Sequence, residues 1–100
     1  MTVTGWNNGK YASSGAGYGL RLDPADRNKT FQQSWSNVSL DLPNGVSGVR
    51  LSASFWRDCP ELRSAMIGKW LIASGYRRWP WGSPPAFTLN QVSGNRFKVN

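Results

Sequence analysis

Apolar and polar residues alternate in several short stretches of the chain, which is the pattern of half-buried β-strands. Two pairs of these stretches are joined by turn sequences, Pro43-Asn44-Gly45 in the first pair and Ser93-Gly94-Asn95 in the second. The pattern therefore predicts one separate strand and two antiparallel hairpins. The predicted strands cover residues 18–22, 38–42, 49–51, 87–89 and 97–99.

A short helix is predicted directly after the first of these strands. Asp23 supplies an N-cap carboxylate, and Pro24 fits the first helical turn. Asp26 adds a second acid three residues after the cap. These signals predict a helix over about residues 24–31. We expect Trp35 to close the following turn onto the core.

The main helix is predicted over about residues 60–74. Asp58 and Glu61 form a D-x-x-E sequence like a capping box, and Gly75 fits a C-cap. An apolar stripe with few charges runs along this segment at helical spacing, so the helix should lie centrally in the fold. The stripe consists of Leu62, Met66, Trp70 and Ala73.

Two further features of this helix concern its packing. Trp70 falls in the middle of the apolar stripe, so we expect its ring to lie in the hydrophobic core. Ser64 and Gly68 are small residues one turn apart, which would let another element approach the helix backbone closely.

These elements predict an α+β fold, in which a curled antiparallel sheet or a small open barrel packs around the main helix (about 60–74) with the short helix (about 24–31) beside it. One hundred residues favour a single domain spanning residues 1–100. Residues 1–16 are expected to be a flexible or loosely ordered N-terminal segment, since Ser13-Ser14-Gly15-Ala16-Gly17 is a flexible entry to the first predicted strand.

Composition narrows the possible functions. Twelve lysines and arginines against five acids give a net charge of +7, which favours polyanionic partners. Because the chain has no histidine, it cannot contain a histidine-dependent catalytic triad, a histidine metal site or an imidazole pH switch. A single cysteine excludes an internal disulfide and favours a reducing compartment. With no signal sequence and no apolar run near the roughly 18 residues of a membrane span, we expect a cytoplasmic protein without a membrane partner.

Paired carboxylates could perform acid–base chemistry, but both pairs fall at predicted helix starts. Helix capping explains the acids at these positions, which are Asp23 with Asp26 and Asp58 with Glu61. Asp41 is expected to face outward from its strand. The sequence therefore predicts no catalytic residue, no metal site and no other cofactor.

Two weaker signals have ordinary explanations. Cys59 stands at a predicted helix start near Arg57 and Arg63, an environment that can make a thiol reactive, but a lone buried thiol is the favoured interpretation. Gly15-Ala16-Gly17-Tyr18-Gly19 is similar to phosphate-binding loops. It lacks the strand before it and the helix after it that such loops need, so a flexible entry to a strand is favoured.

The segment from Tyr76 to Pro85 interleaves arginines and aromatic rings with prolines, a combination that suits nucleic acid. Arg77 and Arg78 would contact phosphates, and Trp79 or Trp81 would stack on unpaired bases. The alternative is that both tryptophans fold back over the main helix as part of the core, and that the arginines complement its C-terminal end.

A basic sheet face is also possible. Arg96 and Lys98 alternate with apolar residues on the last predicted strand and should face outward, as should Arg21 and Arg50 on theirs. Whether these residues join the tryptophan segment depends on the strand order, which the pattern leaves open. A solvated charged face is the alternative.

Five segments stand out together: Gly17-Tyr18-Gly19-Leu20-Arg21, Asp26-Arg27, residues 54–64, Ile67-Gly68-Lys69-Trp70-Leu71 and residues 79–85. Through them the chain resembles a group of short bacterial proteins of unknown role, over about residues 17–99. This resemblance implies no function, and it assigns no catalytic or binding residue to this chain. At the level of fold alone, the predicted curled sheet with basic loops is similar to B3-type pseudobarrel DNA-binding domains.

The leading hypothesis is a small, non-enzymatic nucleic-acid-binding module for DNA or RNA. Its alternative is a protein-interaction or accessory protein that docks a partner through the tryptophan and proline segment. The predicted nucleic-acid-binding residues are Arg77, Arg78, Trp79, Trp81, Arg96 and Lys98.

A small-molecule or enzymatic role is the third hypothesis. A pocket beside Ser64 and Gly68, or under the tryptophans, would serve it. Tyr18, Arg57 and Cys59 would then be the candidate residues.

Overall fold

The computed structural model describes all 100 residues, in seven strands and three helices. The strands are β1 (Thr2–Asn7), β2 (Tyr18–Leu22), β3 (Asn37–Leu42), β4 (Gly45–Arg50), β5 (Glu61–Arg63), β6 (Ala86–Ser93) and β7 (Arg96–Val99). The helices are α1 (Pro24–Thr30), α2 (Ala53–Arg57) and α3 (Ala65–Ala73).

All strands form one sheet in the order β4-β3-β7-β6-β1-β2-β5. Every pairing is antiparallel except the one between β3 and β7. The sheet curls until its two edges approach each other, where Ser47 on β4 donates a hydrogen bond of 3.0 Å to the Ser64 hydroxyl just after β5. The predicted α+β class, with a curled sheet or small open barrel, is confirmed.

The core fills the inside of the curled sheet. Inward positions alternate along the strands as predicted, and Leu20 and Leu62 face each other across the β2–β5 pairing, fully buried. Ile67 and Leu71 on α3 are also fully buried, so this helix closes the core. None of the three helices is long and apolar enough to cross a membrane.

The backbone of α3 touches the loop that precedes β2. A methyl group added at Gly68 would overlap the backbone of Gly15, so the contact exists only because both residues lack a side chain. The predicted close approach at Gly68 is confirmed. Its partner is Gly15, which belongs to the segment expected to be loosely ordered and is itself buried against α3, while Ser14 and Ala16 on either side of it are exposed.

The expectation of a flexible or loosely ordered segment over residues 1–16 is wrong for residues 2–7. These residues form β1, which pairs with β2 on one side and with β6 on the other. Thr2-Val3-Thr4 alternates outward threonines with a buried valine, and β-branched residues favour strands. An alternation of three residues is too short to predict a strand by itself, and pairing with β2 and β6 stabilises this one.

The prediction of one helix over 60–74 is wrong in its first turn. Residues 61–63 form β5, and α3 begins after Ser64, whose hydroxyl accepts a hydrogen bond from the Ile67 amide at 3.1 Å. Leu62 fits the helical stripe and the alternation of a strand equally well, and pairing with β2 decides between them. The helix ends at Ala73, one residue before the predicted end, and Ser74 takes the C-cap position predicted for Gly75.

Because residues 61–63 form β5 and not the first turn of a helix, the predicted capping box of Asp58 and Glu61 does not form. Asp58 lies at the C-terminal end of the five-residue α2, which the sequence analysis missed, and Glu61 lies on β5. Cys59 therefore stands in the connection between α2 and β5 and not at a helix start. At α1 the capping prediction is confirmed, because the Asp23 carboxylate accepts a hydrogen bond of 2.8 Å from the Ala25 amide.

The first prediction concerns two tryptophans with opposite surroundings. Trp70 is 8% exposed, with its ring centroid 4.6 Å from that of Phe87, whereas Trp81 is 100% exposed. Trp70→Ala should therefore lower the free energy of unfolding by about 3–5 kcal/mol, and Trp81→Ala should change it by less than about 0.5 kcal/mol. Urea denaturation of both variants measures this. A larger loss for Trp81→Ala would mean that core and surface are inverted.

The second prediction tests the backbone contact of α3. Alanine normally stabilises a helix interior by about 1 kcal/mol over glycine, but Gly68→Ala should destabilise the protein by at least about 1–3 kcal/mol because the methyl group meets the Gly15 backbone. Gly48 on β4 has open space around its α-carbon and provides the matched control. Gly48→Ala should be nearly neutral. A stabilising Gly68→Ala would contradict the contact.

Candidate functional site

The predicted site residues Arg77, Arg78, Trp79 and Trp81 all lie in the connection between α3 and β6. This connection, residues 74–85, is called the tryptophan loop. It runs beside β1 and is tied to it by the Gly5 amide, which donates a hydrogen bond of 2.9 Å to the Pro85 carbonyl. The two tryptophans differ: Trp79 is half-buried and packs against the core, while Trp81 is fully exposed.

The other end of the tryptophan loop is held from inside the core. The hydroxyl of Tyr18, a buried residue at the start of β2, donates a hydrogen bond of 2.5 Å to the Arg77 carbonyl. Burial raises the pKa of Tyr18 above its usual value, and the positive charges of Arg77 and Arg78 oppose that rise only in part. Tyr18 is thus a neutral donor that fixes the backbone from which both arginines project.

Tyr11 joins the site, although the sequence analysis did not single it out. Arg77 donates two hydrogen bonds to the Tyr11 carbonyl, from Nε at 3.1 Å and from Nη2 at 2.9 Å. The guanidinium of Arg78 lies 4.5 Å from the centre of the Tyr11 ring, in a cation–π contact. Tyr11 is also the one residue other than glycine with a positive φ, 54°. Such backbone conformations persist where the surroundings hold them, as the two arginines do here.

A groove of about 510 Å³ lies between the tryptophan loop and β1, where β1 continues past the end of its pairing with β6. Four aromatic side chains line it, and no two of these four rings stack on each other. We call it the aromatic groove. Its lining consists of Thr4, Gly5, Trp6, Asn7, Tyr11, Arg21, Trp79, Trp81, Gly82 and Pro84.

Beside the aromatic groove, two arginines converge on one acid. Glu61 on β5 receives a hydrogen bond of 2.8 Å from Arg63 and lies 3.5 Å from Nε of Arg21 on β2. The Arg63 guanidinium also lies 4.3 Å from the centre of the Trp6 ring. Gly19, the β2 residue between Trp6 and Arg63 in the sheet, has no side chain that would separate them.

The predicted site residues Arg96 and Lys98 lie elsewhere on the sheet. Both are exposed on β7, and β6 lies between β7 and β1. Arg96 binds Asp41 of β3 through two contacts of 3.1 Å. The predicted outward orientation of these residues is confirmed, but neither lines the aromatic groove.

A second groove, of about 600 Å³, has the opposite character. Three carboxylates line it, those of Asp23, Asp26 and Asp58. It shares Thr4 and Arg21 with the aromatic groove, so the two lie next to each other. No group of acids or cysteines in the chain is arranged to hold a metal ion.

The pocket considered beside Ser64 and Gly68 is absent. Gly15 occupies the space next to Gly68, and neither groove is lined by Ser64 or Gly68. Cys59 is half-buried and lines neither groove. The space under the tryptophans, by contrast, is the aromatic groove itself.

Comparison of the chain with known protein families, curated proteins and solved structures gave no match. The resemblance to short bacterial proteins and the likeness to B3-type domains stay predictions. The geometry and charge of the two grooves are therefore the basis for inferring a function.

The third prediction concerns Tyr18. Because its pKa is raised in the folded protein, the unfolded chain ionises first, at about pH 10. Stability from the neutral tyrosine is fully present below that pH and is lost as the pH rises through the folded pKa. Tyr18→Phe should flatten this alkaline loss and cost about 0.5–1.5 kcal/mol at neutral pH for the missing hydrogen bond.

Urea denaturation from neutral pH to above about pH 10 measures both effects. Tyr76→Phe is the control, since the Tyr76 hydroxyl makes no hydrogen bond and Tyr76 is not among the groups that shift the pKa of Tyr18, and it should keep the alkaline loss of the parent protein. An unchanged alkaline loss in Tyr18→Phe would show that Tyr18 is not its source.

Proposed function

We propose that the protein is a small, non-enzymatic nucleic-acid-binding module that takes a single-stranded segment of DNA or RNA in the aromatic groove. The observation that carries the proposal is Trp81, whose indole is 100% exposed at a groove lined by three more aromatic rings. Stacking of unpaired bases on aromatic rings is the main sequence-tolerant contact of single-strand-binding proteins.

The rings are arranged so that bases can reach them. Neither face of Trp81 is covered by protein, and Trp6, Tyr11 and Trp79 are each about half-buried. Because none of the four rings stacks on another, an incoming base would not have to displace a ring partner from among them. Arg63 lies over one face of Trp6 and Arg78 over one face of Tyr11, so the ring most open to base stacking is that of Trp81.

The charge around the groove suits a phosphate backbone. Arg77 and Arg78 are exposed and project from the tryptophan loop, and Lys10 is exposed beside Tyr11. Arg77 uses Nε and Nη2 to hold Tyr11, which leaves Nη1 available to a ligand. Arginine and lysine contacts to phosphates supply most of the affinity of nonspecific nucleic-acid binding.

A single strand is favoured over a duplex for two reasons. The main helix α3 is committed to the core through Ile67 and Leu71, while α1 has seven residues and α2 has five. A helix placed to enter a major groove, the usual duplex-reading element, is therefore not offered by this fold. The exposed indole of Trp81 also needs a base that is not already paired and stacked.

Arg96 and Lys98 remain in the proposal in a secondary role. Since β6 separates β7 from β1, these two residues would contact only a nucleic-acid strand that continues from the aromatic groove across β6. Lys98 is exposed and free of any ion pair, whereas Arg96 would have to give up Asp41. We place this binding in the cytoplasm, in keeping with a single free cysteine.

A second candidate is docking of a protein partner through the same loop. Tryptophan and arginine dominate interface hot spots, and the exposed Trp81 lies between Pro80 and Pro84 on the tryptophan loop. Capture of partners from a lysate with and without nuclease separates the candidates. A partner that survives nuclease favours docking, and one that is lost with nucleic acid favours the first proposal.

The fourth prediction tests the stacking role. Trp81→Ala should weaken binding of a labelled oligothymidylate by about 5- to 150-fold, which corresponds to about 1–3 kcal/mol per stacked base. Val46→Ala, at an exposed apolar residue on β4, is the control and should leave binding unchanged. Fluorescence anisotropy at two salt concentrations measures both. If the parent protein binds neither DNA nor RNA single strands at low salt, the proposal is wrong.

A further inference from the structure

Glu61 is a carboxylate buried among arginines on the side of the sheet that faces away from the core. Its side chain is 2% exposed, and Oε1 accepts the 2.8 Å hydrogen bond from Nη2 of Arg63. Oε2 is buried and has no hydrogen-bond partner, with Nε of Arg21 3.5 Å away. A buried acid in this arrangement does little for stability by itself, because desolvation offsets most of the attraction.

We infer that Arg21 and Arg63, held together by Glu61, form a binding site for one backbone phosphate of the strand in the aromatic groove. The inference rests on the proposed function and deepens it by assigning phosphate contact to two residues outside the tryptophan loop. Glu61 acts as a positioning residue, since its carboxylate holds the guanidinium groups and does not face the ligand.

The charges and donors of the three residues fit this role. Two guanidinium groups and one carboxylate leave a net charge of +1, and the arginine side chains are 55% and 50% exposed. Glu61 engages Nε of Arg21 and Nη2 of Arg63, so Nη1 and Nη2 of Arg21 and Nη1 of Arg63 stay available. Planar guanidinium donors match phosphate oxygens in pairs. Fixing the side chains beforehand reduces the entropy lost on binding.

The position of the pair links it to the aromatic groove. Arg21 lines the groove, and Arg63 lies 4.3 Å from the centre of the Trp6 ring, which lines the same groove. A phosphate held between the two arginines is therefore next to an aromatic ring on which a base can rest. This alternation of cation and ring is the pattern of single-strand binding grooves.

The acidic groove on the other side of Arg21 supports the same assignment. Asp23, Asp26 and Asp58 line that groove, and it shares only Thr4 and Arg21 with the aromatic groove. Like charges repel a phosphate backbone from this surface. Arg21 is thus the last cation that a bound strand meets before the carboxylates.

The fifth prediction uses the salt dependence of oligothymidylate binding, which counts phosphate contacts. For single strands each contact contributes about 0.7 to the slope of log K against log salt. Arg21→Met should lower the slope by about that amount. Between about 50 and 200 mM salt, the parent protein should then lose about 2- to 3-fold more affinity than the variant. Arg50→Met, at an exposed arginine on the sheet edge β4, should keep the parent slope.

Arg63 needs a second variant, because Arg63→Met alone leaves the Glu61 carboxylate buried without its hydrogen bond. The double variant Glu61→Gln/Arg63→Met avoids this unpaired charge, and Glu61→Gln alone is its control. The double variant should show a slope lower by about 0.7 than that of Glu61→Gln, because the two variants differ only at Arg63. Cooperative urea unfolding of each variant verifies its fold.

Inorganic phosphate distinguishes a phosphate site from general screening. At matched ionic strength, phosphate should compete with oligothymidylate more than chloride does in the parent protein, and Arg21→Met should lose that excess. If Arg21→Met keeps the slope of the parent protein and the double variant keeps the slope of Glu61→Gln, while Trp81→Ala still weakens binding, this inference is overturned and the proposed function stands. If the parent protein binds no strand at low salt, both are overturned.

Discussion

The backbone of α3 meets the backbone of the loop before β2 at Gly68 and Gly15, because neither residue carries a side chain that would hold the two apart. This contact fixes the entry to β2, the strand that supplies Tyr18 and Arg21. Tyr18 then holds the Arg77 carbonyl from within the core. The site is therefore built outward from a backbone contact in the core, and each further layer depends on the one beneath it.

Opposite charges are kept apart on the two sides of Arg21. On one side lie the tryptophan loop with its arginines and the aromatic groove, and on the other lie three carboxylates at the ends of α1 and α2. Glu61 is the one acid on the basic side, and it is buried under two arginines. The net charge of +7 is therefore distributed unevenly over the surface. The electrostatic potential at each groove depends on this separation of opposite charges more than on the net charge of the chain.

Alternation of apolar and polar residues along the chain predicted most of the strands and the curled sheet. A strand with one buried face needs an apolar side chain at every second residue, so this pattern is visible in the sequence. It failed where one residue fits two patterns, as Leu62 does, and where the signal is three residues long, as at Thr2-Val3-Thr4. The site was predictable only within the tryptophan loop. Trp6 and Arg63 meet through the pairing of β1, β2 and β5, and such long-range pairing leaves no local mark in the sequence.

The sequence also left open whether the tryptophans of the loop are core or surface, and the structure divides them. Trp70 is buried, and Trp35, Trp56 and Trp79 pack against the core. Trp6 is half-buried with Arg63 over its ring. The fold thus accounts for five of the six indoles through contacts that stabilise it. Trp81 contributes nothing to that packing, because its indole lies wholly in water at the edge of the aromatic groove, and this is the ring on which the proposed base stacking depends.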